Sequence, residues 1–413
     1  VAMIRGFVRK DGTLGNFYVD LVRSITRILL PLAILFAVIL VLMGVPETFK
    51  NFVVAYPITG GTQTIYLGPV ASFQSLSLLG TNGGGYYSAN AASPLANPSA
   101  VSNLYLVGVM MLIPFSTPFA FGTMIRKKGE AWPYMGTILI IFVVALGIFI
   151  AYQAAFNPAL ASVPNIAQGA NGYPVGQETR FSLPEASLFQ VVSVYSNVGA
   201  NNMAIGSVSP VAQMVLLFGM FTQSTPGGEG TGFGTLLLFA VLAIFIAGLM
   251  VGRTPEYLGK KIETSHVKWA ALALLIHPAI ILIPFSVGVL AGAPGIDAGN
   301  VHAASHNFTS VLYELTSEAA NNGSALSTAS FTDTTPFWNV TGAVVMLVGR
   351  FVPIWAMLQV GGLFASQSER PPGPGTLRTA SATFCVYLTL ILVIVSSLLF
   401  LPVLAMGPLA QIL

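Results

Sequence analysis

A chain of 413 residues that is 54% hydrophobic and only 8% charged lies far from the roughly 25% charged of an ordinary soluble domain. That composition excludes a typical water-soluble globule and points to a chain that crosses a bilayer several times. The formal net charge of +3, from 17 Lys and Arg against 14 Asp and Glu, says little by its sum. The lone Cys385 excludes an internal disulfide and a cysteine metal cage, and reads as inert packing.

In chain order, a basic segment (1–22) is followed by apolar runs at 28–45, 104–125, 134–156, 269–290, 341–364 and 380–403. Each is near the roughly 20 residues that span a hydrocarbon core. A further apolar stretch, 211–251, is interrupted by Gln223-Ser224-Thr225-Pro226-Gly227-Gly228-Glu229-Gly230-Thr231-Gly232. Non-helical backbone at membrane depth is tolerated only inside protein or beside water, so the stretch reads as one broken helix lining a pathway. Two short hairpinned helices are the alternative, since Gly and Pro also form plain loops.

Of the 17 basic residues, 14 fall in four clusters: Arg5, Arg9, Lys10, Arg23 and Arg27; Arg126, Lys127 and Lys128; Arg253, Lys260, Lys261 and Lys268; and Arg370 with Arg378. The positive-inside rule predicts a cytoplasmic position for all four. The intervening segments 47–103, 157–209 and 292–336 carry only Lys50 and Arg180 and are predicted to face outward. The remaining cation, Arg350, lies within an apolar run, where an ionised side chain is costly and marks a functional candidate.

Each outward segment holds a short apolar stretch (70–79, 187–194, 310–315) and then an uncharged loop. The loops read Gly80-Thr81-Asn82-Gly83-Gly84-Gly85, Ser196-Asn197-Val198-Gly199-Ala200-Asn201 and Ala319-Ala320-Asn321-Asn322-Gly323-Ser324. Stretches this short suit re-entrant pore helices rather than spans. Gly83, Gly199 and Gly323 are spaced by 116 and 124 residues, a consistent period for a duplicated unit. The predicted fold is therefore an all-α polytopic membrane protein of pseudo-fourfold helix/pore-loop/helix repeats. Three repeats are expected here (23–128; 129–262, with its broken helix near 222–234; 263–368), then a cytoplasmic loop and a last transmembrane helix (369–413).

A cation filter replaces the hydration shell with backbone carbonyls, and glycine permits the backbone that turns several carbonyls to one axis. Thr81, Asn82, Ser196, Asn197 and Asn322 add neutral oxygens or buttress the loops, and the lack of carboxylates in the loop cores favours a weakly held monovalent cation over calcium. A phosphate cradle does not fit, because Gly259-Lys260-Lys261 lacks the upstream glycine and the hydroxyl of that motif. Ordinary surface turns explain the glycines but not their shared place after re-entrant stretches. Four walls surround an ion in such filters and three are visible, so an upstream repeat is expected before Val1.

These loops resemble the potassium-binding subunit of the Kdp potassium pump. The resemblance runs from Gly80-Thr81-Asn82-Gly83-Gly84-Gly85-Tyr86-Tyr87-Ser88-Ala89-Asn90 and Asn97-Pro98, through Gly252-Arg253-Thr254-Pro255-Glu256-Tyr257-Leu258-Gly259-Lys260-Lys261, to Pro336-Phe337-Trp338-Asn339 and Ala405-Met406-Gly407-Pro408. It implies a channel-like subunit, related in fold to Trk and Ktr transporters, that selects K+ outside the cell membrane and hands it to a P-type ATPase catalytic subunit. Small accessory membrane subunits complete that complex. By position, the filter falls on Thr81, Asn82, Gly83 and Gly84; on Asn197, Val198 and Gly199; and on Asn321, Asn322 and Gly323. The gating loop falls on Gly227, Gly228, Glu229, Gly230 and Gly232. Two departures stand out: Val198 occupies a position usually held by cysteine, and Glu229 a position usually apolar.

Arg350 reads as a cationic gate beneath the filter, with helix packing against a carbonyl as the alternative. His302 and His306, at i and i+4, lack an evident third ligand for a metal and read as solvated loop histidines. Glu318 and Asp333 read as charges near the pore mouth that concentrate cations or simply rim it. Neither an aspartyl-phosphate motif nor a nucleotide loop is present, so active transport requires another chain, and no nucleic acid partner is implied. A stand-alone Trk/Ktr-like potassium channel or carrier is the alternative function, and a non-conducting scaffold a third.

Overall fold

In a computed structural model, described here for residues 1–160, 175–252, 254–293, 301–326, 335–369, 371 and 376–412, nearly all regular structure is helical. The helices are α1 (Ala2–Val8), α2 (Phe17–Ser24), α3 (Leu30–Leu42), α4 (Val70–Leu79), α5 (Ala100–Met124), α6 (Ala131–Tyr152) and α7 (Leu183–Tyr195). They continue as α8 (Pro210–Thr222), α9 (Thr231–Val251), α10 (Thr264–Leu290), α11 (Val301–Ala320), α12 (Pro336–Ala365) and α13 (Ala382–Leu404). Two small hairpins, β1 (Phe52–Ala55) with β2 (Gln63–Tyr66) and β3 (Glu256–Tyr257) with β4 (Lys260–Lys261), are antiparallel.

Among the described residues seven helical stretches are long and apolar enough to cross a membrane: Phe17–Leu42, Ala100–Met124, Lys128–Tyr152, Thr231–Val251, Thr264–Leu290, Pro336–Ala365 and Ala382–Leu409. The first joins α2 to α3 through one wide π turn at Ile25–Leu29. Leu35 and Val38 of α3, Val143 and Val144 of α6 and Val344 and Leu347 of α12 are exposed, as expected of faces solvated by lipid. The interior holds polar side chains as well. Gln74, Ser75, Gln190, Ser193, Thr316 and Ser317, all on the short helices α4, α7 and α11, are buried.

Those three helices are enclosed by the long ones: α4 packs on α3 and α5, α7 on α5 and α6, and α11 on α10 and α12. The apolar stretches at 187–194 and 310–315 are parts of longer helices, α7 and α11. In α11 hydropathy misses the turns before 310 because Ser305 and Thr309 are buried by helix packing despite being polar. Two sequence readings need correction here. His306 is not on a solvated loop but on α11, where its Nδ1 lies 3.3 Å from Gln411 Oε1. Glu318 is not at an open rim, since its carboxyl packs so close to Gly342 of α12 that a Cβ there would lie 2.1 Å from Glu318 Oε1. The side chain of His302, and Asp333, Arg253 and Arg370 entirely, lie outside the described residues. Cys385 is buried between α13 and Gly136 of α6.

One basic residue clasps the end of the bundle that carries the basic clusters. Lys260, fully buried on β4, donates its three ammonium hydrogens to Gly6 O (2.9 Å), Arg9 O (2.5 Å) and Phe364 O (2.7 Å). These carbonyls belong to the C-terminal ends of α1 and α12, where unpaired acceptors and the helix dipole both favour a cation. Burial lowers the ammonium's pKa from its ordinary value, and the three carbonyls oppose that by stabilising the charged form. Around the clasp, Gly6 sits on the Gly361 backbone and Phe7 packs on Tyr257 and Phe364 at 5.2 and 4.7 Å between ring centroids. Lys260→Met removes the shared donor, leaving the Gly6 and Arg9 carbonyls without one and Phe364 O with only the Gln367 N–H (3.1 Å), and is expected to cost about 3 kcal/mol or more. A thermal melt of the purified protein should show this as a lowered midpoint, and limited proteolysis should cleave ahead of Phe17 sooner. Lys260→Arg is not expected to restore the wild-type melt, because a planar fork cannot reach three convergent carbonyls.

Candidate functional site: three pore loops above a polar cavity

The three short helices end in the same turn. Thr81, Asn197 and Asn321 adopt the left-handed conformation at φ 47°, 54° and 53°, each two residues before a glycine that is also left-handed, Gly83, Gly199 and Gly323 at 40°, 80° and 93°. In every case the residue between them donates its N–H back five residues: Asn82 to Ser77 O, Val198 to Ser193 O and Asn322 to Ser317 O, all at 2.8 Å. This 6→1 bond around a left-handed residue is the Schellman motif, which closes the helix and satisfies its terminal carbonyls. Non-glycine residues take positive φ only at a cost, least for Asn. Two of the three positions are Asn.

The loops touch one another in an arc. A Cβ on Gly83 would lie 1.8 Å from Val198 O, and one on Gly199 would lie 1.8 Å from Asn322 O. The first loop thus leans on the second and the second on the third, backbone to backbone, at approaches that only glycine allows. Gly323 faces nothing within 4 Å, and Asn82, Gly84 and Gly323 are exposed while Asn197, Val198 and Gly199 are buried. The middle loop has neighbours on both flanks; the outer two border an open side. Cross-links hold the arc from behind: Asn90 Nδ2 donates to Gly83 O (2.7 Å), Ser193 Oγ to Ala200 O (2.6 Å) and Asn322 Nδ2 to Val194 O (3.1 Å).

Beneath the arc lies a cavity of about 420 Å³. Thr81, Asn82, Asn197 and Asn321 line its upper side, and Gly228, Glu229 and Arg350 line it from below and beside. Val198, Gly199, Asn322 and Gly323 do not line it, and neither do Gly83 and Gly84. α4, α7 and α11 all direct their C-terminal ends at this space, and the partial negative charge of helix C-termini favours a cation there. Arg350, on α12, and the N-terminus of α9 at Thr231 bring the opposite sign to the same cavity. Arg350 forms no ion pair among the described residues.

The floor is the break between α8 and α9, which pack mainly on different helices rather than along each other. Gln223 ends α8 in the left-handed conformation, and its Nε2 lies 2.7 Å from His277 Nδ1 on α10. Gly227 N donates to Tyr195 O (2.8 Å), the last residue of α7, and Glu229 N donates to Thr81 Oγ1 (3.1 Å) beside α4. The break is therefore tied to the underside of two pore loops. Its own fold is tight: a Cβ on Gly232 would lie 2.5 Å from both Pro226 O and Gly227 Cα.

Sequence reading overlooked Ser77, Ser193 and Ser317, which share the 116- and 124-residue spacing of the glycines and accept the Schellman bonds. It also overlooked Tyr195 and His277, which anchor the break. The serines were findable once the period was known; the anchors have no local signature. Among the described residues, no three His, Cys, Asp or Glu side chains converge as a metal site would need.

Comparison with known proteins agrees with this architecture. The family described as KdpA, potassium-transporting ATPase A subunit, matches residues 1–413. A potassium-transporting ATPase potassium-binding subunit of Geobacillus kaustophilus is 40% identical over 412 residues, covering 99% of this chain and 72% of that protein. A protein of the same description from Alicyclobacillus acidocaldarius is 41% identical over 412 residues, covering 100% of this chain and 72% of that protein. Among solved structures, the potassium transporter TrkH from Vibrio parahaemolyticus superposes with a TM-score of 0.50 at 18% identity, over 84% of this chain and 63% of TrkH, a likeness of fold. The chain belongs to the KdpA family of potassium-transporting ATPase A subunits.

Proposed function

We propose that this chain selects K+ at the arc of three loops and passes it into the cavity beneath, as the channel-like subunit of an ATP-driven uptake pump. The observation that carries this reading is the convergence of three identically terminated helices on one cavity, with each of the first two glycines pressed against a carbonyl of the next loop. Such a frame presents backbone oxygens at fixed spacing, and the helix ends below lower the cost of a partly dehydrated cation. The names of the relatives, potassium-binding subunits of a potassium-transporting ATPase, support the ion and the pump. ATP hydrolysis falls to a separate P-type ATPase chain, and small accessory membrane subunits join them.

On this reading Thr81, Asn82, Gly83 and Gly84, Asn197, Val198 and Gly199, and Asn321, Asn322 and Gly323 form three filter walls. The open side beyond Gly323 and Asn82 takes a fourth wall, in keeping with relatives that are longer than this chain. The loops face outward and the basic clusters face the cytoplasm. The break at Gly227, Gly228, Glu229, Gly230 and Gly232 gates the floor, and Arg350 opposes onward movement of the ion. A stand-alone channel or carrier is the second reading, favoured by the likeness to TrkH.

Uptake of rubidium into vesicles separates the two. A pump subunit gives uptake that requires the ATPase partner and ATP, whereas partner-independent uptake favours the channel. Gly199→Ala forces a Cβ into the Asn322 carbonyl, a clash of about 3 kcal/mol or more, and is expected to reduce rubidium uptake about 100-fold. Retained uptake with unchanged preference over sodium would remove Gly199 from the filter. Arg350→Gln deletes the cation in the cavity and is expected to raise the rate of rubidium entry without changing assembly. Unaltered kinetics at normal expression would show that Arg350 does not pace the ion.

A further inference from the structure

The spacing that aligns the three glycines also aligns Gln74, Gln190 and Glu314, each nine residues before its glycine. All three are inside the protein, at 0%, 0% and 5% exposure. A buried amide or carboxyl is costly unless hydrogen-bonded, so polar residues at one position of three pore helices call for a physical reason.

Two of them show it. Gln190 Nε2 donates to Asn201 Oδ1 at 2.9 Å, two residues past Gly199. The Glu314 carboxyl faces the backbone N–H of Leu326, three residues past Gly323, with its Oε1 left without a partner among the described residues. In both repeats the side chain crosses from the pore helix to the limb of the loop that leaves the glycine. The loop is thus fixed at both ends, by the Schellman turn before the glycine and by this bond after it. Gln74 is the contrast. Both its Nε2 and Oε1 lack a partner among the described residues, where Gln190 and Glu314 each leave only Oε1 without one, and the position matching Asn201 is Gly85, which has no side chain to offer. That loop is held instead from outside, by Asn90 on Gly83 O.

We propose that Gln190 and Glu314 are positioning residues for ion discrimination, bracing the outgoing limbs of the second and third loops so that the carbonyl spacing around the ion stays fixed. They never touch the ion. The inference rests on the reading of the loops as a potassium filter. Toward the Leu326 N–H the Glu314 side chain offers an oxygen, which the amide of a glutamine also carries, whereas Gln190 uses its amide as a donor.

The test uses the full-length protein with the subunits it purifies with, reconstituted in vesicles, and reads rubidium uptake in competition with sodium. Hydrogen exchange over 319–326 is measured in parallel. Glu314→Leu and Gln190→Leu are each expected to lower the preference for rubidium over sodium about tenfold, the equivalent of one lost hydrogen bond. Glu314→Gln is expected to stay within about twofold of wild type. Exchange at the Leu326 amide should rise in Glu314→Leu and not in Glu314→Gln. If Glu314→Leu fails to fold, Gln190→Leu and Glu314→Gln carry the test. Wild-type preference in Gln190→Leu, or Glu314→Gln as damaging as the leucine variant, overturns the brace. A wild-type protein with no preference for rubidium over sodium overturns the filter reading instead, and the exchange data then judge the brace alone.

Discussion

Backbone that leaves the helix at membrane depth must find partners for its N–H and C=O groups within the protein, and the whole centre of this molecule follows from that requirement. Three helices end in pore loops and one is broken. The stops solve the problem locally, each with the same Schellman turn, and then by contact, since Val198 and Asn322 present their carbonyls against neighbouring glycines. The break cannot solve it locally. Gly227 and Glu229 send their N–H groups to Tyr195 and Thr81, so the floor of the cavity borrows its acceptors from the ends of the pore helices. The pore loops and the break beneath them are consequently one hydrogen-bonded unit.

The packing of α7 makes that coupling stiff. Tyr195 O accepts from the break, Tyr195 Oη donates to Val215 O on α8 at 2.9 Å, and the ring lies against Gly219 so closely that a Cβ there would come within 2.4 Å. One residue therefore joins a pore helix, the helix before the break and the break itself. Small residues let such approaches occur where no hydrophobic force acts between helices in lipid. The same use of glycine recurs at Gly6 against Gly361 and at Gly288 against Trp338.

The spanning helices were legible because hydropathy over some twenty residues is a strong signal, and the three loops were legible because glycine and asparagine concentrate in them. The spacing of 116 and 124 residues was read from the glycines of those loops and applied only to them. Applied to every position, it would have drawn Ser77, Ser193 and Ser317, and Gln74, Gln190 and Glu314, out of stretches that otherwise look like apolar helix. The outer turns of α11 escaped because polarity there reflects burial against protein rather than exposure to water. Glu318 misled for the same reason, since a carboxylate near a pore loop reads as a rim charge until Gly342 is found packed against it. Pairings such as Gln223 with His277 join residues 54 apart on different helices, and nothing local in either segment marks them.

Repetition also shows where the repeats diverge. Counted from the first residue of the helix that follows each loop, Pro114 lies 14 residues into α5, Gln223 lies 13 past the start of α8, and Arg350 lies 14 into α12. At a similar count from its start, then, the first helix carries proline, the second breaks, and the third carries a charge. A proline removes a backbone donor, and the α8–α9 break frees several donors and acceptors. The charge leaves the helix intact and changes only the field. Three pore helices that end alike thus sit above a floor built from unlike parts, a break in one following helix and a charge in another.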